Sequence, residues 1–189
     1  MKIIGLSGTN GAGKDSVAAI LAEQYGYLFV GATEMFLDEL QRRSWPTDRE
    51  HKARLSAEWR REFGMGVIVD KAVEELKKTN GRYKGLVVSS LRHPGEAERV
   101  HDLGGSVWWI DADPKVRYWR VQNAHRGREL EDSKTFEEFL AEEQREMVPS
   151  GDDATLNMAA VKALADNTVQ NNTDDLADLQ GSIQALLEA

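Results

Sequence analysis

The chain has 189 residues and a formal net charge of −8, and charged types make up 30% of it and hydrophobic types 41%. These values are typical of one globular domain and argue against disorder or a fibre. Cysteine is absent, which excludes disulfide scaffolds, thiolate metal sites and thiol nucleophiles. No apolar stretch approaches the roughly 18–20 residues of a membrane span, and glycines follow the first six residues too early for a secretory signal, so we expect a cytoplasmic protein without a membrane partner.

The predicted elements alternate between strands and helices. In chain order, the first half has a strand at 2–6, a helix through 17–21, a strand at 27–30, a helix through 35–40, a helix through 55–63 capped by Asp48, and a helix at 67–76. The second half has a strand at 86–89, a helix at 94–103, a strand at 107–110, a helix from Pro114, a helix after the capping-box pair Thr135 and Glu138, a helix at 154–165, a strand at 168–170 and a helix along 176–187. Short apolar strands alternating with helices predict a parallel sheet covered on both faces, in one α/β domain over residues 1–189.

The charge is unevenly distributed along the chain. Residues 42–61 carry seven lysines or arginines, and residues 114–128 carry five with no acid. An acidic average disfavours a nucleic-acid polymer as partner, because such binders usually need a basic face. Two local basic clusters in an acidic chain indicate a small anionic ligand, with solvated helix faces as the alternative for either cluster.

The most specific motif is a glycine-rich loop after the first strand. Residues 8–14 read GTNGAGK, which fits the pattern G-x-x-x-x-G-K between a strand and a helix. Glycines allow a tight turn in which backbone N–H groups converge on phosphate oxygens, and the helix directs its positive end at the same anion. We therefore predict a site for the phosphates of ATP, with the lysine on the terminal phosphates. Its predicted contacts are Gly8, Asn10, Gly11, Ala12, Gly13, Lys14, Asp15 and Ser16.

The residues after the lysine predict a metal site. Asp15 stands where the motif usually has Ser or Thr, and Ser16 follows it. We expect Asp15, Ser16 or both to contact Mg²⁺ directly or through water, because Mg²⁺ favours oxygen ligands and keeps several waters. The alternative for Asp15 is an acid that only stabilises the helix N-terminus.

The loop sequence GKDS resembles the phosphate loop of small-molecule P-loop kinases, with the nucleoside monophosphate kinases and the dephospho-CoA kinases as the nearest groups. Segments 56–64 (SAEWRREFG), 86–96 (LVVSSLRHPGE), 135–139 (TFEEF) and 171–173 (NNT) also resemble parts of such domains. The resemblance runs loosely along nearly the whole chain, and only the phosphate loop is highly specific. It implies a three-layer P-loop NTPase fold with a five-stranded parallel sheet, a helical acceptor-binding insertion at about 33–80 and a short lid at about 117–132.

The resemblance also implies roles for the basic residues. A small phosphorylated acceptor, namely a nucleoside or deoxynucleoside monophosphate, would be held by Arg60 and Arg92, with Arg54 as a further candidate. A guanidinium suits this role because it can hold two phosphate oxygens at once. Arg126 and Arg128 would come from the lid onto the transferring phosphoryl group. Surface ion pairs are the alternative for the acceptor arginines.

Three further residues would border the adenine of ATP, namely Asn171, Asn172 and Thr173. Glu34, after the second strand, would be the carboxylate near the acceptor, in a region where dephospho-CoA kinases carry an Asp. Ser89 ends the third strand, where related domains often place an acid that holds Mg²⁺ through water.

Three functions are open at this point. The first is a nucleoside monophosphate kinase, favoured because residues 31–34 lack a clear Asp and an ionised phosphate acceptor needs no base. The second is a dephospho-CoA kinase-like enzyme that acts on a hydroxyl. The third is a nucleotide-dependent switch with slow ATP hydrolysis, although the sequence gives no evident protein partner and a switch has no need of a second phosphate site.

Overall fold

Five parallel strands form one sheet in the computed structural model, which describes residues 2–123, 134–173 and 175–188. The strands are β1 (Lys2–Ser7), β2 (Tyr27–Gly31), β3 (Gly85–Ser89), β4 (Ser106–Asp111) and β5 (Asn167–Gln170). Their order across the sheet is β2-β3-β1-β4-β5, and every neighbouring pair is parallel. The predicted α/β fold with a five-stranded parallel sheet is confirmed.

Helices follow the strands and cover both faces of the sheet. They are α1 (Lys14–Tyr25), α2 (Ala32–Arg42), α3 (Arg49–Phe63), α4 (Val67–Lys78), α5 (Pro94–Asp102), α6 (Pro114–Asn123), α7 (Phe136–Met147), α8 (Met158–Ala163) and α9 (Leu176–Glu188). Three of them, α2, α3 and α4, lie between β2 and β3, within the range predicted for the insertion. No helix in the described ranges has the length and apolar character needed to span a bilayer.

The strands carry apolar residues on both faces because each face packs against helices. In β1, Ile3 joins a core with residues of α2, α3, α4 and α5, whereas Ile4 and Leu6 join a second core with α1 and α9. In β3, Val88 and Val87 divide between the same two cores. A continuous apolar run whose successive side chains enter two different cores is typical of a strand in a sheet that is buried on both sides.

One predicted helix was too long. The structure has α8 over Met158–Ala163 instead of 154–165, because the Asn157 side chain accepts a hydrogen bond from the Ala160 N–H at 3.1 Å and starts the helix there. The predicted capping box is present at the start of α7, where the Thr135 Oγ1 accepts from the Glu138 N–H and the Glu138 carboxylate accepts from the Thr135 N–H.

All five strands end at the same edge of the sheet, which collects the candidate residues. Pairing in register places Ser89 opposite both Leu6 and Gly31. The phosphate loop that follows β1 therefore lies between the ends of β3 and β4. In open parallel sheets this edge, where neighbouring connections diverge, is where ligands bind.

Candidate functional site

The phosphate loop is folded around positions that only glycine fits. Gly13 caps α1 with φ of 97°, and a Cβ there would overlap the Nδ2 atom of Asn171. Gly11 has φ of 79°, and a Cβ there would lie 2.5 Å from the carbonyl oxygen of Arg117. The loop is thus packed against α6 on one side and the end of β5 on the other, with the N-terminus of α1 open to the cleft beside it.

Lys14 lies folded over this loop. Its Nζ donates hydrogen bonds to the carbonyl oxygens of Gly8 at 2.7 Å and Thr9 at 2.8 Å. An ammonium group is a compact charge on a flexible stem, so it can move from these carbonyls to a phosphate bound at the loop. A rotation of the Lys14 side chain alone, with the backbone unchanged, would bring the ammonium group from these carbonyls to the mouth of the loop.

The first cleft opens directly above the loop and has a volume of about 340 Å³. This lies within the range of about 300–1,000 Å³ that is usual for small-molecule sites. It is lined by Asn10, Gly11, Gly13, Lys14, Asp15, Ser16, Gly31, Thr33, Glu34, Ser89, Ser90, Arg92, Arg120, Val121, Asn171, Thr173, Asp175, Leu176 and Leu179. Most of this lining is polar and comes from the phosphate loop, the ends of β2 and β3, α6 and the segment after β5. Its large apolar side chains are Val121 of α6 and Leu176 and Leu179 of α9.

The loop after β5 is tied to the phosphate loop. The Asn171 side chain donates to the carbonyl oxygen of Ala12 at 2.8 Å, and Arg120 donates to the carbonyl oxygens of Asn171 and Thr173, each at 2.8 Å. Asn172 instead accepts from the Asp113 N–H at 2.7 Å, away from the first cleft. Of the three predicted adenine-loop residues, the structure therefore brings Asn171 and Thr173 to the cleft and turns Asn172 aside.

Oxygen atoms dominate the wall of the first cleft opposite this loop. Asp15 and Ser16 lie in the first turn of α1, and Glu34 lies in the first turn of α2. The Glu34 carboxylate folds back over Gly31, where a Cβ would overlap it. The Ser89 hydroxyl, at the end of β3, is buried and has no hydrogen-bond partner among the described residues.

These oxygens fit a hydrated Mg²⁺ bound mainly through phosphate oxygens. Mg²⁺ prefers oxygen ligands, keeps several waters and is usually held by one or two carboxylates together with substrate phosphates. In the part of the chain that the structure describes, no three carboxylate or histidine side chains are close enough to form a protein-only metal site. Asp15 and Ser16, in the first turn of α1, are the residues that would hold the ion, and this role stays a prediction.

A second cleft, of about 90 Å³, adjoins the first. Four residues line both clefts, namely Asn10, Thr33, Ser90 and Arg92. The other residues of the second cleft are Ala32, Phe36, Arg49, Lys52, Ala53, Ser56, Arg60, Ile68, Glu96, Glu146 and Leu156. Charged groups and apolar side chains of α2, α3 and α4 thus face one another beside the phosphate loop.

Arg60 has a role different from the predicted one. Its side chain is 2% exposed, and four of its five N–H groups are committed within the protein. Two bind the carboxylate of Glu96, at 3.1 and 2.7 Å, and two bind the Ser56 hydroxyl and the Ala154 carbonyl oxygen. The ion pair considered from the sequence is present, but it is buried and joins α3 to α5.

Arg92 and Arg54 differ sharply in their positions. Arg92 lines both clefts, its side chain is 29% exposed, and among the described residues its guanidinium binds the Glu146 carboxylate at 2.9 Å through one N–H group. Arg54 is exposed on α3 and stacks over the Trp45 ring at 4.6 Å, outside both clefts. The structure therefore brings Arg92, and not Arg54, to the place where the two clefts meet.

Four charged residues of the second cleft were not singled out from the sequence, namely Arg49, Lys52, Glu96 and Glu146. Arg49 and Lys52 belong to the basic cluster at 42–61, so the sequence indicated the cluster but gave no reason to choose these two over its five other cations. Glu146 comes from α7 and gave no signal at all. Near it, burial opposes ionisation of Glu142, yet hydrogen bonds from Lys134 and Arg49 hold the pKa of Glu142 below its usual value.

The second basic cluster is only partly described. Arg126 and Arg128 lie outside the described residues, so their predicted role stays a prediction. Arg117 is 3% exposed, pairs with Glu143 of α7 and donates to the Ala112 carbonyl oxygen, so it is a buried structural residue and not part of a solvated helix face.

Comparison with known proteins agrees with this geometry. The model of a family described as AAA domain matches residues 4–147. A UPF0200 protein of Pyrococcus abyssi (strain GE5 / Orsay) is 29% identical in an alignment that covers 98% of this chain and 95% of that protein. The shikimate kinase from Acinetobacter baumannii, solved in complex with shikimate, has a TM-score of 0.57 at 17% identity over 98% of this chain and 92% of that chain. The protein TT1252 from Thermus thermophilus has a TM-score of 0.58 at 23% identity over 98% and 96% of the two chains. These likenesses show a P-loop kinase-like fold.

Proposed function

This chain belongs to the AAA domain family, and from that premise we propose that it is an ATP-dependent phosphotransferase. The observation that carries the proposal is the pair of clefts that meet beside the phosphate loop, with Asn10, Thr33, Ser90 and Arg92 lining both. A nucleotide-dependent switch needs a single nucleotide site, whereas a phosphotransferase needs two sites whose reacting atoms meet. The shikimate kinases that share this fold support a small-molecule acceptor.

In this proposal the first cleft holds ATP. The phosphate loop and the N-terminus of α1 bind its phosphates, and Lys14 moves from the carbonyls of Gly8 and Thr9 to the terminal phosphates. Asn171 and Thr173 border the base. Mg²⁺, held through Asp15 and Ser16, would neutralise charge on the phosphate oxygens.

We propose a nucleoside or deoxynucleoside monophosphate as the acceptor, with its phosphate in the second cleft, which at about 90 Å³ has room for the phosphate end and not for the whole nucleotide. Arg92 is the first candidate for its phosphate because this guanidinium lies where the two clefts meet and, among the described residues, binds Glu146 through only one of its N–H groups. The apolar side chains of Phe36, Ile68 and Leu156 line the same cleft and offer a surface for the part of the acceptor next to its phosphate. An acceptor oxygen would form the new bond to the γ-phosphorus as the bond to ADP breaks, which needs positioning more than covalent help.

A hydroxyl acceptor is the second candidate, and the position of Glu34 favours it. The Glu34 carboxylate lines the first cleft one residue from Thr33, which lines both. A hydroxyl needs a base, so Glu34→Gln would abolish transfer to a hydroxyl but would leave transfer to an ionised phosphate largely intact.

The test of the proposal is ATP consumption with Mg²⁺ in the presence and absence of candidate acceptors. Lys14→Ala should lower acceptor-dependent turnover at least about a hundred-fold, the usual scale for one group that stabilises transition-state charge. Lys77→Ala is the matched control, because Lys77 is exposed in the last turn of α4 and lines none of the clefts described above. Equal turnover in the two variants would refute the role of the loop.

A further inference from the structure

The second cleft has a net positive lining. Four cations, Arg49, Lys52, Arg60 and Arg92, face two carboxylates, Glu96 and Glu146, which gives a charge of +2. The buried pair of Arg60 and Glu96 is neutral in itself. The remaining +2 therefore arises from three cations and the single carboxylate of Glu146.

Glu146 joins two of these cations across the cleft. Its Oε1 forms an ion pair with Arg49, 3.1 Å from the Nε atom, and its Oε2 accepts a hydrogen bond from the Nη1 of Arg92 at 2.9 Å. Arg49 is the first residue of α3, and Arg92 lies between β3 and α5. Glu146 itself is near the end of α7 and has a side chain that is 14% exposed. One carboxylate thus fixes two guanidinium groups that come from separate parts of the fold.

We propose that Glu146 is a positioning residue of the acceptor site, which it tunes for a phosphate monoester dianion. The inference rests on the proposed function, because it takes the second cleft as the acceptor site. By binding Arg49 and Arg92, Glu146 removes rotamer freedom from two long side chains before the ligand arrives, and a preorganised site binds more tightly. The lining stays positive even when the Glu142 carboxylate beside Arg49 is counted, and this favours a monoester, which carries about −1.5 to −2 at pH 7.

The central variant is Glu146→Gln, with acceptor kinetics as the readout. We expect the KM for the monophosphate acceptor to rise about ten-fold, while kcat and the KM for ATP change less than about two-fold. A residue with a purely structural role would lower the unfolding midpoint without raising the acceptor KM selectively. An unchanged or lower acceptor KM would overturn the proposal, since Glu146 would then be inert or a competitor of the phosphate.

Glu142→Gln is the matched control. Glu142 lies one turn earlier on α7 and binds Arg49 at 2.6 Å, but it lines neither cleft and does not bind Arg92. Both variants remove one negative charge from the same helix. The difference between their acceptor KM values therefore reports the contact between Glu146 and Arg92. We expect Glu142→Gln to raise the acceptor KM less than about two-fold. Equal effects of the two variants would attribute the change to charge alone and would refute positioning.

A double-mutant cycle tests whether Glu146 acts through Arg92. In an Arg92→Met background, Glu146→Gln should raise the acceptor KM by clearly less than it does in the wild type, because one end of the bridge is already lost. Full additivity of the two changes would show that Glu146 does not act through Arg92 and would refute that part of the proposal.

A binding measurement separates this proposal from the proposed function. Inorganic phosphate is titrated calorimetrically into the protein with saturating ADP, which fills the phosphate loop. We expect the wild type to bind phosphate and Glu146→Gln to bind it about ten-fold more weakly, even if no acceptor supports turnover. If the wild type binds no phosphate, or the variant binds it equally well, the inference fails, whereas acceptor-dependent turnover would still support the kinase.

Discussion

The buried ion pair between Arg60 and Glu96 gives the sharpest stability prediction. The Glu96 side chain is 1% exposed and accepts four hydrogen bonds. Its Oε1 takes two from Arg60, and its Oε2 takes one each from the backbone N–H groups of Arg92 and His93. In Glu96→Gln, one carboxylate oxygen becomes an NH₂ group that faces N–H donors, and the charge of Arg60 is left buried without compensation.

We expect Glu96→Gln to lower the free energy of unfolding by about 3–5 kcal/mol, the usual effect of removing one partner from a buried ion pair. Urea unfolding followed by tryptophan fluorescence and circular dichroism measures this. With a urea m value of about 2 kcal/mol/M, the midpoint should fall by about 2 M while m stays constant. A loss below about 1 kcal/mol would refute the reasoning.

A second variant keeps the prediction testable if Glu96→Gln fails to fold. In Arg60→Met with Glu96→Gln, no buried charge remains at this pair of positions, and the Gln oxygen can still accept from the backbone N–H groups of Arg92 and His93. Replacing both charges of a buried pair is often neutral or stabilising. The double variant should therefore be more stable than Glu96→Gln alone. A double variant that is less stable than Glu96→Gln would contradict this account of the pair.

Two further predictions concern the loop and a surface pair. Gly13→Ala should weaken ATP binding, and it should lower the free energy of unfolding by at least about 1 kcal/mol more than Gly81→Ala does. Both glycines have positive φ, but only at Gly13 would the added Cβ overlap a side-chain amide. Equal losses of unfolding free energy in the two variants would show that backbone strain alone acts. Hydrogen bonds from Arg42 and Arg43 lower the pKa of Glu39 to about 2. Glu39 therefore stabilises the folded state, by at most about 1 kcal/mol for a solvent-screened pair. This stabilisation is complete above the unfolded pKa near 4.5 and is lost as the pH falls through about 2. Comparing urea unfolding of the wild type and Glu39→Gln between pH 6 and 2, in steps of about one unit, checks this, and a difference that does not shrink with falling pH would argue against it.

The fold and the phosphate loop were predictable because their signals are local. A short apolar strand, a glycine turn and a helix start lie within a few residues of one another around Lys14. The acceptor arginines could not be ranked in this way. Arg60 meets Glu96 and Ala154, which are 36 and 94 residues away, and only that long-range packing shows that it is committed.

The same reason explains the contacts that the sequence did not predict. Glu146 reaches Arg92 across 54 positions, and Asn171 reaches Ala12 across 159. Neither contact has a periodic or motif-based signal, since each depends on how separate helices pack at one edge of the sheet. The motif predicted the candidate nucleotide site, and the packing of separate helices indicated the candidate acceptor site.

The measurement that tests the central claim most directly follows the γ-phosphoryl group of ATP. Labelled ATP and Mg²⁺ are incubated with a panel of nucleoside and deoxynucleoside monophosphates and dephospho-CoA, and the products are separated for the wild type and Lys14→Ala. The account predicts label in the diphosphate of at least one monophosphate with the wild type and none with the variant. Label only in the product of dephospho-CoA would transfer the assignment to a hydroxyl acceptor and make Glu34 the residue to test. Label that appears only as inorganic phosphate, at a rate no acceptor changes, would contradict the claim.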